Sequence, residues 1–274
     1  TGSAYSVNNG IDLSGKGGLV WIKGRNVSSY NHTLYDTARS GTLFSDTVNI
    51  ASDYASEIAS YNNNGFTTVS SGATYNNISG TEYVSWTFRK AKKFFDIVTY
   101  SGNGTSGRQI SHNLGTTVGA IFVKSLNNTR KWAVFHRGAD ASNPSHYKLH
   151  LDQTDARADE QHIWNDTEPT STVFTVGNDG EVNASGENYV AYLFAHNDSG
   201  DGKFGPDSDQ DIIKCGSYTG NYTAFKDIDL GFEPQWVLIK NVSTNSRDWM
   251  LFDNMRGAVT GGNDAYLTAN SSSQ

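Results

Sequence analysis

The chain alternates short hydrophobic runs with polar clusters along its whole length. The runs are five to seven residues long, and the clusters between them are rich in Asn, Gly, Ser and Asp. Hydrophobic runs of this length, bounded by turn-forming residues, are typical of β-strands. Only residues 50–60 have a helix-like spacing, at Ile50, Tyr54 and Ile58, and the Ser content of that stretch disfavours a helix. The pattern therefore predicts an all-β chain.

One strand pattern occurs three times. A hydrophobic strand ends in Lys, and after a polar turn an aromatic-rich strand ends in an acid or His with Arg close behind. Successive Lys residues lie 101 and 116 positions apart, close to the length of a small domain. We expect the repeated charges to lie at strand ends and to form a structural salt bridge within each unit, because repeated residues serve what units share. They are Lys23, Asp36 and Arg39, then Lys124, His136 and Arg137, and finally Lys240, Asp253 and Arg256.

A tyrosine-led closing strand sets the phase of the repeat. It begins at Tyr83 in the first unit and at Tyr189 in the second. This phasing predicts domains at 1–93 and 94–209 and a partial domain at 210–274. The third unit has no counterpart of the closing strand, and a β-domain without one would expose an unpaired edge. We therefore expect the chain to be part of a longer protein.

The second unit indicates the fold. About six strands in roughly 100 residues suit a β-sandwich. In Trp236–Lys240 every residue before Lys is apolar, which is typical of a central strand covered on both faces. We expect tandem β-sandwich repeats of jelly-roll or concanavalin-like type, two complete and a third truncated. The six strands are predicted at 94–100, 118–124, 131–137, 147–151, 172–176 and 188–195.

Charge and composition indicate which classes of binding partner are not expected. The net charge is −7, and the only basic cluster is residues 89–93, at the junction of the first two units. We therefore do not expect a nucleic-acid partner, which would need a larger basic surface. No apolar run approaches the ~20 residues that span a bilayer, so membrane insertion is not expected. The single Cys215 is expected to be a buried small hydrophobe.

The sequence predicts no catalytic residues and no enzyme. It contains no nucleophile-elbow, zinc-protease or phosphate-loop motif. His146 and His150 would lie about 13 Å apart on a strand, too far for one metal ion. Loop carboxylates could pair as in a glycosidase, which leaves a glycan hydrolase as a second alternative, although acids in loops are usually just solvated. The loop acids are Asp152, Asp155, Asp159 and Glu160.

One acidic segment has the character of a calcium site. Residues 197–211 combine closely spaced carboxylates with glycines that permit tight turns, and calcium takes six to eight oxygen ligands. The spacing does not match an EF-hand loop, and a solvated acidic turn is the alternative. No cofactor other than calcium is expected. The candidate ligands are Asp198, Asp201, Asp207, Asp209 and Asp211.

Several long strings resemble a domain of uncharacterised function that is common in virion proteins of marine tailed bacteriophages, including those of cyanobacteria. The strings are GGLVWIKGR at 17–25, YVSWTFRK at 83–90, FFDIVTY at 94–100, YVAYLFAH at 189–196 and GFEPQWVLIK at 231–240. The resemblance covers essentially the whole chain and carries over no catalytic residues. It implies a tail fibre or another exposed virion appendage, other virion proteins as partners, and host-surface glycan as a target. A homotrimer is expected by analogy with such fibres.

Two functions follow from this resemblance. In the first, the units bind host glycan, and exposed aromatic side chains stack on sugar rings. In the second, they are passive spacers or capsid-surface decorations whose aromatic side chains all lie in the core. The repeated aromatics, such as Trp132 and Trp249, favour the second reading. The candidates for sugar contact are Trp164, Tyr30 and Tyr61, and Trp164 could equally be a wedge at a unit junction.

Overall fold

Antiparallel β-strands make up nearly all the regular structure. The computed structural model describes residues 3–51, 55–70, 73–197, 209–223, 226–257 and 264–273. The helical elements in these ranges are α1 (Gln161–Trp164) and a 3-10 turn at Pro144–His146, and Ala51 is also in a 3-10 conformation. Of the stretch with helix-like spacing at 50–60, residues 52–54 lie outside the described residues, and a strand begins at Ile58. The all-β prediction is confirmed.

The first predicted unit contains two sheets. One has the strand order β4-β3-β2-β7 and the other the order β1-β6-β5, with antiparallel pairing throughout. The strands are β1 (Ser6–Asn8), β2 (Gly18–Gly24), β3 (Thr33–Asp36), β4 (Leu43–Phe44), β5 (Ile58–Asn62), β6 (Gly65–Thr68) and β7 (Tyr83–Arg89).

The second predicted unit also has a large and a small sheet, of orders β13-β12-β11-β10-β15-β8 and β14-β9. All six strands predicted here are present. The sequence pattern missed β9 and β13, which are short and mostly polar. The strands are β8 (Phe95–Ser101), β9 (Arg108–Ser111), β10 (Val118–Ser125), β11 (Ala133–His136), β12 (Tyr147–His150), β13 (Ala158–Asp159), β14 (Val173–Val176) and β15 (Asn188–Ala195).

The third predicted unit forms one sheet of order β16-β17-β18 among the residues described. These strands are β16 (Trp236–Lys240), β17 (Trp249–Asp253) and β18 (Leu267–Thr268). We call β2–β4, β10–β12 and β16–β18 hairpins one, two and three. Their first two strands pair in one common register, so that Asp36, His136 and Asp253 lie opposite Leu19, Ala120 and Trp236. The number of complete repeats and the domain boundaries remain predictions.

β2 and β10 each send alternate side chains to two different cores, as the two-residue period of a strand requires. Val20 and Ile22 of β2 pack with Phe66 in a core between the two sheets of the first unit. Ile121 and Val123 of β10 do the same with the small sheet of the second unit. The sandwich arrangement explains why β2 and β10 are apolar on both faces.

The opposite faces of the hairpins share one core. This central core contains Trp21 of hairpin one, Phe122 of hairpin two and Leu251 of hairpin three, all nearly inaccessible to solvent. Side chains on one face of each of β2, β10 and β16 therefore pack against the neighbouring hairpins.

Candidate functional site at the hairpin interfaces

The repeated lysines join the hairpins to one another. Lys124 Nζ donates to the Arg130 carbonyl of its own turn at 2.8 Å and to the Val48 carbonyl that follows hairpin one at 3.1 Å. Lys23 donates in the same way to its own turn and to the Ser272 carbonyl at 2.9 Å. Lys240 donates to its own turn and to the Thr154 carbonyl at 3.0 Å. Each ammonium therefore bridges its own hairpin and a segment that follows another.

Two of the three repeated lysines are fully buried at the ends of their strands. Lys23 and Lys124 are both 0% exposed. Burial lowers the pKa of Lys124 to about 8, with Asp152 and Glu187 acting in the opposite direction. Carbonyl oxygens replace the lost hydration of each ammonium. Among the described residues, none of the three lysines forms a salt bridge with the acid of its own unit.

A second repeated contact starts four positions before the acid or His that ends each aromatic strand. Trp132 Nε1 donates to the Phe44 carbonyl of hairpin one at 2.7 Å, and Trp249 Nε1 donates to the His150 carbonyl of hairpin two at 2.8 Å. His32 occupies the equivalent position of hairpin one, and its ring lies against the backbone of Thr268 in hairpin three. By distance and angle, its Nε2 makes no hydrogen bond among the described residues, unlike the indole nitrogens of Trp132 and Trp249.

A third repeated contact uses the acid at the end of the aromatic strand. Asp36 pairs with Arg39 at 2.8 Å and accepts a hydrogen bond of 2.6 Å from the Tyr192 hydroxyl of β15. Asp253 pairs with Arg256 at 2.6 Å and accepts a hydrogen bond of 3.1 Å from Trp86 Nε1 of β7. The predicted salt bridge within each unit is therefore present between Asp and Arg in the first and third units.

His136 replaces the acid in the second unit. Its Nδ1 accepts a hydrogen bond from the Gly138 amide at 3.0 Å, the role that Asp36 Oδ1 plays toward the Ala38 amide at 2.9 Å. Burial, with Arg137 nearby, lowers the pKa of His136 to about 4, so the ring is neutral at pH 7. An imidazole can thus close the same turn without a carboxylate. His136 forms no ion pair with Arg137, because neither side chain carries a negative charge.

These contacts close a cycle. Hairpin two binds hairpin one, hairpin three binds hairpin two, and hairpin one binds hairpin three through equivalent positions. A closed cycle of equivalent interfaces is the arrangement of a cyclic trimer, formed here inside a single chain. Chemically, the interfaces hold three hairpins in a fixed relation. Most of the hydrogen bonds described here join polar groups of two different hairpins or closing strands.

The three candidates for sugar contact lie in different surroundings. Trp164, at the end of α1, is 1% exposed and packs edge-on against Phe135 at 6.0 Å, within the core of the second unit. The Tyr61 hydroxyl donates to the Asp36 carbonyl at 2.9 Å, and burial raises its pKa. Tyr30 is half-buried beside Gly24. The structure therefore does not bring them together, and Trp164 presents no ring face to solvent.

The calcium candidates are only partly covered by the structure. Asp198, Asp201 and Asp207 lie outside the described residues. Asp209 is exposed and Asp211 is half-buried. Within the described ranges, no group of three or more His, Cys, Asp or Glu side chains is placed to hold a metal ion. Calcium binding stays a prediction.

The loop acids serve structural contacts. Asp152 accepts from the Trp132 amide at 3.0 Å, Asp155 lies 3.7 Å from Lys131, and Glu160 accepts from the amide of His162 at the start of α1. In the basic cluster, Lys90 pairs with Asp96 at 3.1 Å. None of these pairs forms the two facing carboxylates of a glycosidase.

Some interface residues escaped the sequence reasoning. His32 was not grouped with Trp132 and Trp249, although it lies nine positions after Lys23, as Trp249 lies nine after Lys240. Aligning the copies on Lys would have shown the match. Trp86 and Tyr192 hold equivalent places in the two closing strands, but their polar partners could not be read from sequence because those partners belong to other hairpins.

No helix among the described residues is long and apolar enough to cross a membrane. Fold and interfaces together define an all-β protein in which three like hairpins are joined in a closed cycle. The chain belongs to a family described as a domain of unknown function, DUF7483, whose model matches residues 1–274. Neither the comparison with curated proteins nor the comparison with solved structures found a match.

Proposed function

We propose that this chain is a structural component of a bacteriophage virion, in a tail fibre or another exposed appendage. The closed cycle of hairpin interfaces supports this role most directly, because its repeated polar side chains bind the three hairpins to one another. The sequence resemblance to phage virion domains supports the location. The chain acts as a building block rather than an enzyme, and its partners are other virion proteins.

The cycle also bears on the expected homotrimer. Equivalent interfaces that a trimeric fibre would form between three chains occur here between three hairpins of one chain. Assembly into a homotrimer would need a further surface. Light scattering on the purified chain measures this directly, since a trimer has three times the mass of 29.8 kDa.

Attachment to host-surface glycan is the second candidate function. Four of the eight large apolar side chains that are exposed in the described residues are tyrosines, and Tyr222 is fully exposed. Tyrosine combines a flat apolar ring with a hydroxyl, which suits stacking on sugars. A passive spacer or capsid decoration lacks such binding, and a glycan hydrolase would in addition cleave the bound glycan.

Virion location is tested on purified particles of the phage that encodes the chain. We expect mass spectrometry to detect the chain in particles and gold-labelled antibody to mark an appendage in electron micrographs. A nonstructural phage protein used as control should be absent from both. Finding the chain only in infected-cell lysate, and not in washed particles, would exclude the proposed role.

Glycan attachment is tested on a glycan array with residues 1–274. Binding by surface tyrosines predicts loss of signal in Tyr222→Ala and Tyr30→Ala, whereas Trp164→Phe should bind normally because its ring is buried. The passive-spacer alternative predicts no signal for any variant. Conversion of a bound glycan to shorter products would instead identify a hydrolase.

A calcium site in the acidic segment is tested by thermal unfolding. A structural ion predicts a lower midpoint after chelation and recovery on adding calcium, because a ligand that binds only the folded state stabilises it. Asp209→Asn with Asp211→Asn should then reduce the response. An unchanged midpoint would argue against calcium.

A further inference from the structure

The third hairpin differs from the other two at one edge. Among the residues described, β2 is paired with β3 and β7, and β10 with β11 and β15, but β16 is paired with β17 alone. Every residue of β2 and β10 is buried, whereas every residue of β16 is half-buried. Within the described part of the chain, one edge of β16 has no strand paired with it, and the backbone groups of such an edge can pair with another strand.

The outer face of the third hairpin is less covered as well. Val237 and Ile239 are half-buried, whereas the equivalent Val20 and Ile121 are 0% exposed. A shallow depression on this face is lined by Ile239, Met250 and Asp248 among others. Six of the eight exposed large apolar side chains in the described ranges also lie beyond residue 210. Exposed apolar surface concentrated in one region marks an interaction surface.

The complete units show what fits such an edge. In each, a closing strand runs antiparallel to the central strand, from Gly18 opposite Arg89 to Gly24 opposite Tyr83 in the first. Trp86 lies opposite Trp21, and Tyr192 lies opposite Phe122. The register of the hairpins makes Leu238 of β16 equivalent to Trp21 and Phe122.

The segment that follows the second unit begins in the same way as the segment that follows the first. Asn197 donates to the Ile213 carbonyl at 3.1 Å, which repeats the bond of 3.0 Å from Ala91 to the Phe95 carbonyl. Phe95 begins β8, the strand that pairs with the far edge of β15. Residues from Ile213 onward thus correspond to the strand that would flank a docked closing strand on its other side.

His136 defines the chemistry of the docked strand. The aromatic residues Tyr192 and Trp86 of the closing strands each donate to an acid of a neighbouring hairpin, and the corresponding position of hairpin two holds His136. Because His136 Nδ1 accepts from Gly138, the proton of the neutral ring is on Nε2. A partner must therefore accept a hydrogen bond. A tyrosine hydroxyl can accept, but a tryptophan N–H cannot.

We propose that the edge of β16 is an acceptor site for one antiparallel β-strand supplied from outside residues 1–274. The docked strand has the pattern of β15, with tyrosine opposite Leu238 and in contact with His136. It adds a strand to an exposed sheet edge, so backbone hydrogen bonds provide affinity and the tyrosine provides selectivity. With the docked strand in place, β16 is paired on both edges, as β2 and β10 are.

The test uses the 274-residue chain and a peptide copy of residues 187–196 carrying a solubilising lysine tag. Hydrogen exchange of the β16 amides should slow at least tenfold on peptide addition, while exchange in β2 and β10 stays unchanged. A scrambled peptide is the control. Equal effects of the two peptides, or no slowing in β16, would overturn the proposal. So would β16 protection that rises with protein concentration alone, because it would show a second copy at the edge.

Selectivity is tested at the peptide tyrosine that corresponds to Tyr192, and the one that corresponds to Tyr189 is kept. Replacing the tyrosine that corresponds to Tyr192 by phenylalanine should weaken binding about three- to tenfold, the worth of one hydrogen bond, and its replacement by tryptophan should weaken binding at least as much. His136→Asp restores the acceptor found in the other two hairpins. That variant should bind the tryptophan peptide as well as the tyrosine peptide, and an unchanged preference would overturn the assigned contact.

Discussion

The repeated lysines show how a charged residue becomes part of an interior. Lys23 and Lys124 are fully buried, yet each ammonium donates to carbonyl oxygens from two segments. Burial of an unpaired charge would be very costly, and hydrogen bonds to carbonyls offset part of that cost. The strand pattern predicted where the lysines lie along each strand. It could not predict their partners, because the carbonyls of Val48, Thr154 and Ser272 carry no side-chain signature.

The lowered pKa of Lys124 predicts an unusual dependence of stability on pH. Below pH 8 the ammonium is charged in both folded and unfolded chains. Between about pH 8 and 10.5 the folded chain has lost the proton while the unfolded chain keeps it, so stability rises with pH. Relative to Lys124→Met, the native chain should therefore gain about 1 to 3 kcal/mol of unfolding free energy across this interval, at about 1.4 kcal/mol per pH unit.

Urea unfolding at pH 7, 8, 9 and 10 measures this gain. The exposed Lys16 provides the matched control, and Lys16→Met should run parallel to the native chain at every pH. A constant difference between the native chain and Lys124→Met would contradict a depressed lysine pKa.

The interface hydrogen bond of Trp132 predicts a difference between two buried tryptophans. Trp132→Phe removes the indole N–H that donates to the Phe44 carbonyl across the hairpin interface. Trp164→Phe removes an indole N–H that has no partner among the described residues. Both changes shrink a buried ring, so the first should cost about 1 to 2 kcal/mol more than the second. Chemical denaturation of both variants checks this, and equal losses would count against the bond.

At the scale of elements, the sequence predicted those strands that contain a run of apolar residues. Buried strands such as β10 and β15 read as continuous apolar runs, so their positions were predicted within one or two residues. β9 has only one apolar residue, Ile110, and β13 has only Ala158, so neither has an alternation to detect. Their pairing is set by neighbouring strands rather than by their own pattern.

Gly65 lies where strands β1 and β6 of the first unit approach each other too closely for a larger side chain. Its φ is +146°, and an added Cβ would overlap the Val7 carbonyl of the paired strand β1. Gly65→Ala should therefore separate β1 from β6 and cost about 3 kcal/mol or more. Gly10 also has a positive φ, +78°, but has open space around it, so Gly10→Ala should cost only about 1 to 2 kcal/mol.

Thermal unfolding of the two glycine variants provides the comparison, with hydrogen exchange of β1 and β6 as the local readout. Similar midpoints for Gly65→Ala and Gly10→Ala would show that the backbone can relax around the added methyl group.

At the scale of the whole molecule, the sequence indicated repetition but not its consequence. A central strand that is apolar on both faces is compatible with two stacked sheets inside one domain. It is equally compatible with one sheet packed against neighbouring hairpins, and composition cannot distinguish these. In the structure both occur, since Val20 faces the small sheet and Trp21 faces the central core. The contacts between hairpins determine how the repeats are arranged in space. The sequence of a single repeat does not show those contacts.

The shared core predicts that the chain unfolds as one unit. Trp21, Phe122 and Leu251 come from the three hairpins and pack in the same cluster, so unfolding any hairpin would expose the core surfaces of the other two. Calorimetry should give a single transition with a total enthalpy of about 190 kcal/mol, at about 0.7 kcal/mol per residue. The van't Hoff enthalpy should then equal the calorimetric enthalpy. Three independent units would each unfold with an enthalpy of roughly 60 kcal/mol, so the ratio of the van't Hoff to the calorimetric enthalpy would be near one third. Trp132→Phe sharpens the test: a cooperative molecule shifts its whole transition to lower temperature, whereas independent units would split it into two.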